Sequence, residues 1–220
     1  MKTHLDEQTI ALRAAKEFED GSTVNLGYGM PALCANLIAE DRSIFFQSEN
    51  GVLGYSGLAT DGQKDFELIN ASDQPIMPAS GMCFFDSAAS FDMIRGGHID
   101  TVVLGAYQVS ETGDLANWGR PGRPATGMGG GMDLAVGARK VIVTMLHTTK
   151  DKKARIVKKC TYPLTARHCV SMIFTDIAVM KVTPRGILLK EVAPGWTAEE
   201  IQALTEPRLL ITGDLKEIEL

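Results

Sequence analysis

The residues of this sequence that are best suited to chemistry are Ser48-Glu49-Asn50-Gly51, a polar tetrapeptide between two apolar segments. The run Ile44–Phe46 before it predicts a strand, and apolar residues resume at Val52-Leu53. In an open α/β sheet the carboxyl ends of the strands open into the ligand crevice, so a carboxylate placed there is displayed toward a substrate. Glu49 is therefore a candidate reactive carboxylate. A plain solvated turn is the alternative, because Asn-Gly is a common turn dipeptide.

A second candidate element is the glycine run Gly127–Gly131, which precedes a predicted helix over Met132–Ala138. Consecutive glycines at the start of a helix leave their N–H groups unobstructed, which is what an oxyanion hole for a tetrahedral adduct requires. Asp133 lies near the helix start, where a negative charge suits the helix dipole. The run is weak evidence alone and much stronger beside a displayed glutamate.

A third glycine-rich turn joins a predicted strand, Val24–Leu26, to a predicted helix over Ala32–Glu40. Its two glycines, Gly27 and Gly29, let the backbone approach a ligand closely, and the free amides of a helix start favour an anion. As a dinucleotide fingerprint the turn is weak, because the third glycine of GxGxxG is missing. Tight packing of strand against helix is the alternative.

Length and composition indicate an ordinary globular protein. The 220 residues are 45% hydrophobic and 22% charged and contain no linker-like break, so we expect one domain over residues 1–220. A net charge of −5 gives no sign of a nucleic-acid or anionic membrane partner. The N-terminus does not resemble a signal peptide and no apolar run reaches membrane-spanning length, so we expect a cytoplasmic protein.

The four cysteines form no CxxC pair, so neither a zinc site nor a redox pair is predicted and we expect reduced thiols. They are Cys34, Cys83, Cys160 and Cys169.

Apolar strand patterns alternate with helical ones along the chain. The predicted helices include Leu5–Glu19, Ser87–Arg95 and Thr197–Leu204, the last with a capping box formed by Thr197 and Glu200. The predicted strands include Thr101–Leu104, Lys140–Leu146, Ile177–Val182 and Gly186–Glu191, and the last two suit a hairpin. We expect loops over Gly54–Lys64 and Asp114–Pro124. This alternation predicts a three-layer α/β/α fold with a mainly parallel open sheet.

Four motifs, in their order and spacing, closely resemble the β subunit of the family I 3-oxoacid CoA-transferases: Ser48–Gly51, Met93–His98, Gly113–Trp118 and Gly127–Leu134. The resemblance runs from about Ala11 to Phe174. The sequence departs from the family at Tyr55-Ser56-Gly57, where a Gly-Pro pair is common, and at Gly131, where Ala is usual. The first departure puts substrate preference in doubt more than mechanism, and the second removes no amide.

The resemblance implies the CoA-transferase fold, which is related to that of ribose-5-phosphate and glucosamine-phosphate isomerases. It implies ping-pong transfer of CoA between an acyl-CoA and a carboxylic acid, such as the 3-oxoacid acetoacetate. Glu49 would carry CoA as a glutamyl thioester, and the amides of Gly129 and Gly130 would stabilise the oxyanion. Coenzyme A would be substrate and covalent adduct, with no permanently bound cofactor and no metal.

The resemblance also implies contacts with CoA and with a second subunit. The CoA contacts would be Gly27, Tyr28, Gly29, Met30, Pro31, Asn50 and Lys150. Because CoA is an anion and this protein is acidic, a local positive charge is needed, and Lys150 lies in the basic segment His147–Lys153. A solvated turn is the alternative for that segment. An α subunit, in a heterodimer or an α2β2 heterotetramer, would supply the other oxyanion donor.

Two functions of other classes remain open. A non-catalytic sensor of acyl-CoA or sugar phosphates could use the same fold, because fold does not fix function. A hydrolase could use a serine nucleophile, but Ser48, Ser56 and Ser80 all lie outside a G-x-S-x-G elbow.

Three further residues tempt a functional assignment. An isolated histidine past a helix end, such as His98, more often serves packing. Arg120 and Arg123 are candidates for contacts with a partner chain or with phosphates, and solvated arginines are the default.

Overall fold

A computed structural model describes residues 2–122 and 127–219. The helices are α1 (Glu7–Ala15), α2 (Ser87–Arg95), α3 (Gly131–Gly137) and α4 (Ala198–Ala203), with a 3₁₀ helix over Met30–Asn36. The first strands are β1 (Thr23–Leu26), β2 (Phe45–Ser48), β3 (Val52–Tyr55), β4 (Gly57–Leu58), β5 (Ile76–Met77), β6 (Cys83–Phe84), β7 (Thr101–Gly105) and β8 (Gln108–Ser110). The others are β9 (Leu115–Ala116), β10 (Lys140–Thr144), β11 (Ile156–Val157), β12 (Val170–Phe174), β13 (Ala178–Thr183), β14 (Gly186–Val192) and β15 (Leu210–Glu217).

Ten of these strands form the central sheet, in the order β15-β14-β13-β12-β10-β7-β1-β2-β3-β6. The middle strands β12, β10, β7, β1 and β2 all run parallel, and antiparallel pairs extend the sheet at both edges. The middle strands therefore end at one edge of the sheet, where their connections must begin. Two small sheets, β11-β8-β9 and β4-β5, lie outside it.

Alternate residues of the middle strands pack on opposite faces of the sheet. Val102 and Leu104 of β7 lie in one buried cluster with residues of α2, α3 and α4, whereas Val103 lies in another with residues of α1 and the 3₁₀ helix. This is the period of two that a strand covered on both faces requires. The predicted three-layer α/β/α fold with a mainly parallel sheet is confirmed.

Helix ends follow local signals. Helix α2 occupies the predicted range, and the side chain of Asp86 caps it by accepting a hydrogen bond from the Ala89 amide at 2.8 Å. Helix α4 has the predicted capping box of Thr197 and Glu200. Helix α1 is shorter than the predicted Leu5–Glu19 at both ends. Asp6 caps its start, so that Leu5 lies outside it, and the helix ends at Ala15 with Lys16 as its C-cap.

The predicted helix over Ala32–Glu40 is wrong in type and length. The segment forms a 3₁₀ helix that ends at Asn36. The Asn36 side chain instead pairs with the backbone of Leu58, accepting from its amide at 2.7 Å and donating to its carbonyl at 3.3 Å. Asparagine side chains readily bond to backbone in this way and compete with a helix, so a tertiary contact ends this one.

Two predicted loops contain short strands. The range Gly54–Lys64 holds the end of β3 and the whole of β4, which pairs with β5. The range Asp114–Pro124 holds β9, which pairs with β8. A two-residue strand is stabilised by pairing with its partner strand, so its own sequence is too short to predict it. Arg123 and Pro124 lie outside the described residues.

Candidate active site

Glu49 directly follows β2, at the edge where the parallel strands end. A tight turn presents it: the Gly51 amide donates to the Ser48 carbonyl at 3.0 Å, and the Phe85 amide donates to the Gly51 carbonyl at 3.0 Å. Gly51 has a φ of +113°, and a Cβ there would overlap the carbonyl oxygen of Phe85. The glycine of the motif is therefore required by the turn that displays the carboxylate.

The glycine run before α3 lies close to Glu49. A Cβ on Gly130 would lie 3.2 Å from Glu49 Oε1 and 3.2 Å from Phe91 Cζ. Any side chain at position 130 would therefore crowd the carboxylate. Neither the Gly129 nor the Gly130 amide donates a hydrogen bond to any residue that the structure describes. Gly129, Gly130 and Glu49 line the same cleft, so two amides without a described partner are available there. Their role as oxyanion donors stays a prediction.

A cleft of about 380 Å³, here called the Glu49 cleft, opens above these groups. It is lined by Leu26, Gly27, Tyr28, Glu49, Ala71, Ser72, Leu104, Asn117, Trp118, Gly127, Met128, Gly129, Gly130, Gly131 and Leu134. The side chains of Asn117 and Trp118 are held from below: Thr165 Oγ1 donates to Asn117 Oδ1 at 2.6 Å, and Trp118 Nε1 donates to the Leu164 carbonyl at 3.2 Å.

A buried amide lies behind the carboxylate. Asn25 in β1 is fully buried, and its Nδ2 lies 3.4 Å from Glu49 Oε2 and 2.6 Å from Gln47 Oε1. Sequence reasoning missed Asn25, although a polar residue inside the buried strand Val24-Asn25-Leu26 was a usable signal, since buried polar groups need partners.

Tyr55 of β3 lies close enough to sense the charge on Glu49. Burial raises the pKa of its phenol, and the negative charge of Glu49 raises that pKa further. The tyrosine is therefore neutral beside the carboxylate.

A second cleft of about 680 Å³, here called the Arg155 cleft, adjoins the first and shares Gly27, Tyr28, Leu104 and Asn117 with it. Its other lining residues are Glu7, Met30, Pro31, Gly105, Ala106, Tyr107, Thr144, Met145, Leu146 and Arg155. Of the predicted CoA contacts, Gly27, Tyr28, Met30 and Pro31 thus lie along the two clefts. Gly29 is in the same turn with a φ of +82° but lines neither.

The positive charge in these clefts comes from a residue that sequence reasoning missed. Arg155 is half-buried, and no described acidic side chain forms an ion pair with it. Burial lowers the pKa of Arg155, and the positive charge of Arg120 lowers it further. The Arg120 guanidinium lies 4.8 Å from the centre of the Tyr107 ring, at the wall of the Arg155 cleft.

Several other sequence candidates lie outside the clefts. Lys150 is exposed in the turn after β10 and lines neither cleft. The Asn50 side chain donates to the Ile69 carbonyl at 2.8 Å, which ties it to a neighbouring loop. His98 is exposed, and it too lines neither cleft.

The three serines considered as nucleophiles lack a base. Ser48 Oγ accepts from the Ala71 amide at 2.9 Å, and Ser56 and Ser80 line a cavity on another part of the surface. No histidine side chain in residues 2–122 or 127–219 hydrogen-bonds to any of them. The geometry gives no support to serine hydrolysis.

The described part of the chain holds no group of three or more His, Cys, Asp or Glu residues placed to bind a metal ion. All four cysteines are free, as predicted. None of the helices within residues 2–122 and 127–219 is both long and apolar enough to cross a membrane.

A glutamate displayed at a strand end, in a cleft that it shares with unengaged glycine amides, is an arrangement that suits the active site of an enzyme. Residues 7–204 match the coenzyme A transferase family, and the chain belongs to that family.

Relatives support this over nearly the whole chain. The chain is 47% identical over 209 residues to the beta chain of the acetate CoA-transferase of Escherichia coli K12, covering 95% of each chain. It is 47% identical over 204 residues to one of the subunits of the 3-oxoadipate CoA-transferase of Pseudomonas putida, covering 91% of this chain and 94% of that one. It is 44% identical over 209 residues to a mitochondrial mouse succinyl-CoA:3-ketoacid coenzyme A transferase (2B), covering 94% of this chain but only 40% of that longer one.

Solved structures share the fold. An acyl-CoA transferase from E. coli O157:H7 superposes with a TM-score of 0.76 at 20% identity, covering 98% of this chain and 44% of that one. Glutaconate coenzyme A-transferase from Acidaminococcus fermentans gives 0.72 at 17% identity, covering 100% and 91%. A variant of the decarboxylase AibA/AibB also gives 0.72, at 18% identity, covering 97% and 89%. The fold therefore hosts more than one chemistry, and the reaction has to be argued from the site.

Proposed function

We propose that this chain is the catalytic subunit of a CoA-transferase that moves CoA between an acyl-CoA and a carboxylic acid, with Glu49 as the covalent carrier. The observation that carries the proposal is the closeness of the Glu49 carboxylate to Gly130, in a cleft that holds the unengaged amides of the glycine run. A sensor of acyl-CoA on the same fold would need to bind its ligand but would not need a nucleophile against an oxyanion site.

The chemistry needs no net transfer of protons or electrons. A Glu49 carboxylate oxygen attacks the thioester carbonyl carbon, the C–S bond breaks, and a mixed anhydride and CoA thiolate result. The thiolate then attacks the Glu49 carbonyl carbon, the anhydride C–O bond breaks, and the first acid leaves as a carboxylate. A second carboxylate takes CoA from the glutamyl thioester by the reverse sequence. Two substrates thus share one intermediate, which predicts ping-pong kinetics.

Each tetrahedral adduct in this sequence places negative charge on a carbonyl oxygen. Gly129 and Gly130 line the Glu49 cleft and their amides have no partner among the described residues, so we assign these amides as donors to that oxygen. Loss of one such donor typically costs on the order of a hundredfold in rate. CoA thiolate is a good leaving group, and an ionised carboxylate is already nucleophilic. The main contribution left to the enzyme is therefore to stabilise the oxyanion with positioned hydrogen-bond donors.

The two joined clefts suit a long substrate. The Glu49 cleft begins at the end of β2, and the Arg155 cleft reaches the end of β10, three strand spacings away in the sheet, or about 14 Å. Coenzyme A carries its thiol on a long flexible arm with phosphates at the far end. We assign the arm to the turn Gly27–Pro31, with its phosphates toward Arg155. Lys150 and Asn50 stay predictions as further CoA contacts.

A second subunit completes the proposal. Tyr28 is 79% exposed and Leu146 is 43% exposed, and both lie on the walls of the Arg155 cleft. Large apolar side chains exposed around a binding site favour a protein partner that covers them. An α subunit, in a heterodimer or an α2β2 heterotetramer, would close the clefts and bring the second oxyanion donor.

The acid substrate is proposed only as a class. The relatives carry the names of acetate, 3-oxoadipate and 3-ketoacid transferases, all of them acting on short carboxylic acids. We propose a 3-oxoacid such as acetoacetate as one of the two acids. A panel of acetate, acetoacetate, succinate and 3-oxoadipate, compared by kcat/KM, will rank them.

The decisive experiment traps the intermediate. The enzyme assembled with an α subunit is incubated with acyl-CoA and no acceptor acid, and we expect about one thioester per active site. Borohydride should reduce it to the alcohol and hydroxylamine should convert it to a hydroxamate, because activated acyl groups react where free carboxylates do not. Peptide mapping should place the product on the Ser48–Gly51 fragment, and the Glu49→Gln variant should give none. A product mapped to Asp133 or Glu67 would overturn the assignment.

A further inference from the structure

We propose that Ser90 and Gln47 are positioning residues for Glu49. They orient a buried amide, that of Asn25, so that its N–H group points at the carboxylate. The inference rests on the proposed role of Glu49 as nucleophile, and it adds residues that lie behind the site and touch no substrate.

The side chains of Ser90, Gln47 and Asn25 are each 0% exposed and form a continuous chain of hydrogen bonds. Ser90 Oγ lies 3.5 Å from the Ser48 carbonyl oxygen, and Gln47 Nε2 lies 2.8 Å from Ser90 Oγ. Gln47 Oε1 then lies 2.6 Å from Asn25 Nδ2, and the same Nδ2 lies 3.4 Å from Glu49 Oε2. The chain thus runs from α2 through β2 and β1 to the carboxylate.

One end of the chain fixes its direction. The Ser48 carbonyl can only accept, so the Ser90 hydroxyl donates to it and turns its lone pairs toward Gln47. The amide of Gln47 must then present its N–H₂ group to Ser90 and its oxygen to the other side. That oxygen faces Asn25, so Asn25 must donate a hydrogen bond to it from its own N–H₂ group.

The other end demands the same direction. An ionised Glu49 carboxylate can only accept, so the Asn25 group facing it has to be a donor. With the Asn25 amide turned over, Oδ1 would stand 2.6 Å from Gln47 Oε1 and against Glu49 Oε2 as well, which places acceptor against acceptor in a buried site. Turning Gln47 over as well would still leave two acceptors facing each other at Glu49. Only one arrangement satisfies both ends.

The consequence is a carboxylate whose orientation depends on a serine that never meets the substrate. One N–H of Asn25 is occupied by Gln47, and the second is left for Glu49. At 3.4 Å this contact is longer than an ordinary N–H···O hydrogen bond of about 2.7–3.2 Å, so it directs the carboxylate weakly and leaves it free to reach a thioester carbon. Supporting hydrogen bonds of this kind keep a reactive group within its productive geometry.

The experiment compares two buried serines in the enzyme assembled with an α subunit. Ser90→Ala removes the acceptor for Gln47, and we expect kcat to fall roughly tenfold, within the range expected when a buried donor is left without a partner, with both KM values within about twofold. Ser22→Ala is the matched control: Ser22 is also buried, and its hydroxyl has no hydrogen-bond partner within the described residues. Its kcat should match the parent enzyme.

A double-mutant cycle with Asn25→Asp separates positioning from general loosening of the core. If Ser90 acts through Asn25, adding Ser90→Ala to Asn25→Asp lowers kcat little further, whereas independent effects multiply. If Ser90→Ala does not fold, Gln47→Met provides the same comparison at similar volume. If kcat of Ser90→Ala stays within twofold of the parent while Glu49→Gln is inactive, the positioning role of Ser90 is refuted. The proposed function is then unaffected. Activity in Glu49→Gln removes the proposed function itself.

Discussion

Glu49 and Gly130 lie so close together that a Cβ on Gly130 would be 3.2 Å from Glu49 Oε1. The two residues are far apart in the chain: Glu49 directly follows β2, Gly130 directly precedes α3, and both line the Glu49 cleft. Their proximity brings a carboxylate and a segment with unengaged backbone donors into one cleft.

Glu49→Gln and Glu49→Ala should abolish CoA transfer while leaving the fold intact, because a neutral side chain cannot accept an acyl group. Initial rates and circular dichroism measure the two effects. The Gln variant has to be checked by mass spectrometry for deamidation back to Glu. More than a trace of true activity in either variant would take Glu49 out of the mechanism.

Gly130→Ala and Gly131→Ala form a matched pair. The methyl group added at Gly130 would press on the carboxylate at 3.2 Å, and we expect kcat to fall roughly ten- to hundredfold, since small misplacements of reacting groups are costly. At Gly131 the nearest atom to a new Cβ is Thr165 Cγ2 at 3.8 Å, an ordinary contact, so activity should stay near that of the parent. Equal losses in both variants would mean that the contact with Glu49 is not what matters.

Arg155→Gln should raise the KM for acyl-CoA about tenfold with little change in kcat, because the lost charge would contact a part of the substrate that does not react. Acyl-pantetheine, which lacks the phosphates, supplies the internal control, and its KM should not change. Arg185→Gln, at an exposed turn away from both clefts, is the matched surface variant. An equal penalty on acyl-CoA and acyl-pantetheine would refute a phosphate contact.

The purified chain alone should be inactive, and activity should appear when an α subunit is added. The clefts lie open on the surface with Tyr28 exposed at their wall, and the proposed second oxyanion donor comes from the partner. Titrating an α subunit into this chain while following turnover measures the effect. Full turnover by the isolated chain would contradict the proposed division of the site.

His147 should make the fold sensitive to acid. Its ring is 1% exposed between the hydroxyls of Thr175 and Thr205, and burial lowers its pKa to about 4, against the opposing effect of Asp176. The unfolded chain therefore takes up a proton near pH 6.5 while the folded chain does not until about pH 4. Stability from this residue is complete above pH 6.5 and is lost as pH falls through this window, by on the order of 3 kcal/mol.

Denaturant unfolding at pH 7 and at pH 4.5 measures this loss. In His147→Gln, which can still hydrogen-bond to both threonines, the difference in free energy of unfolding between the two pH values should shrink. An unchanged pH dependence in that variant would show that other groups cause the acid sensitivity.

Local signals allowed much of the fold to be read from the sequence. The bounds of α2 and the capping box of α4 depend on residues within one helical turn of each other, so the sequence determined them. The layer architecture followed from the periods of the apolar residues, because strand and helix expose different repeats to a core. The motif around Glu49 was recognisable for a related reason, since its turn needs glycine at position 51.

What only the tertiary structure decided depends on contacts between distant segments. The predicted helix over Ala32–Glu40 became a shorter 3₁₀ helix because Asn36 bonds to Leu58, and β9 exists because β8 lies beside it. The positive charge in the clefts is that of Arg155 rather than Lys150. After β10 the chain places Arg155 in the wall of the Arg155 cleft and leaves Lys150 exposed to solvent. Spacing along a sequence names the residue types of a site, but which donor faces a carboxylate is fixed only when strands and helices pack together.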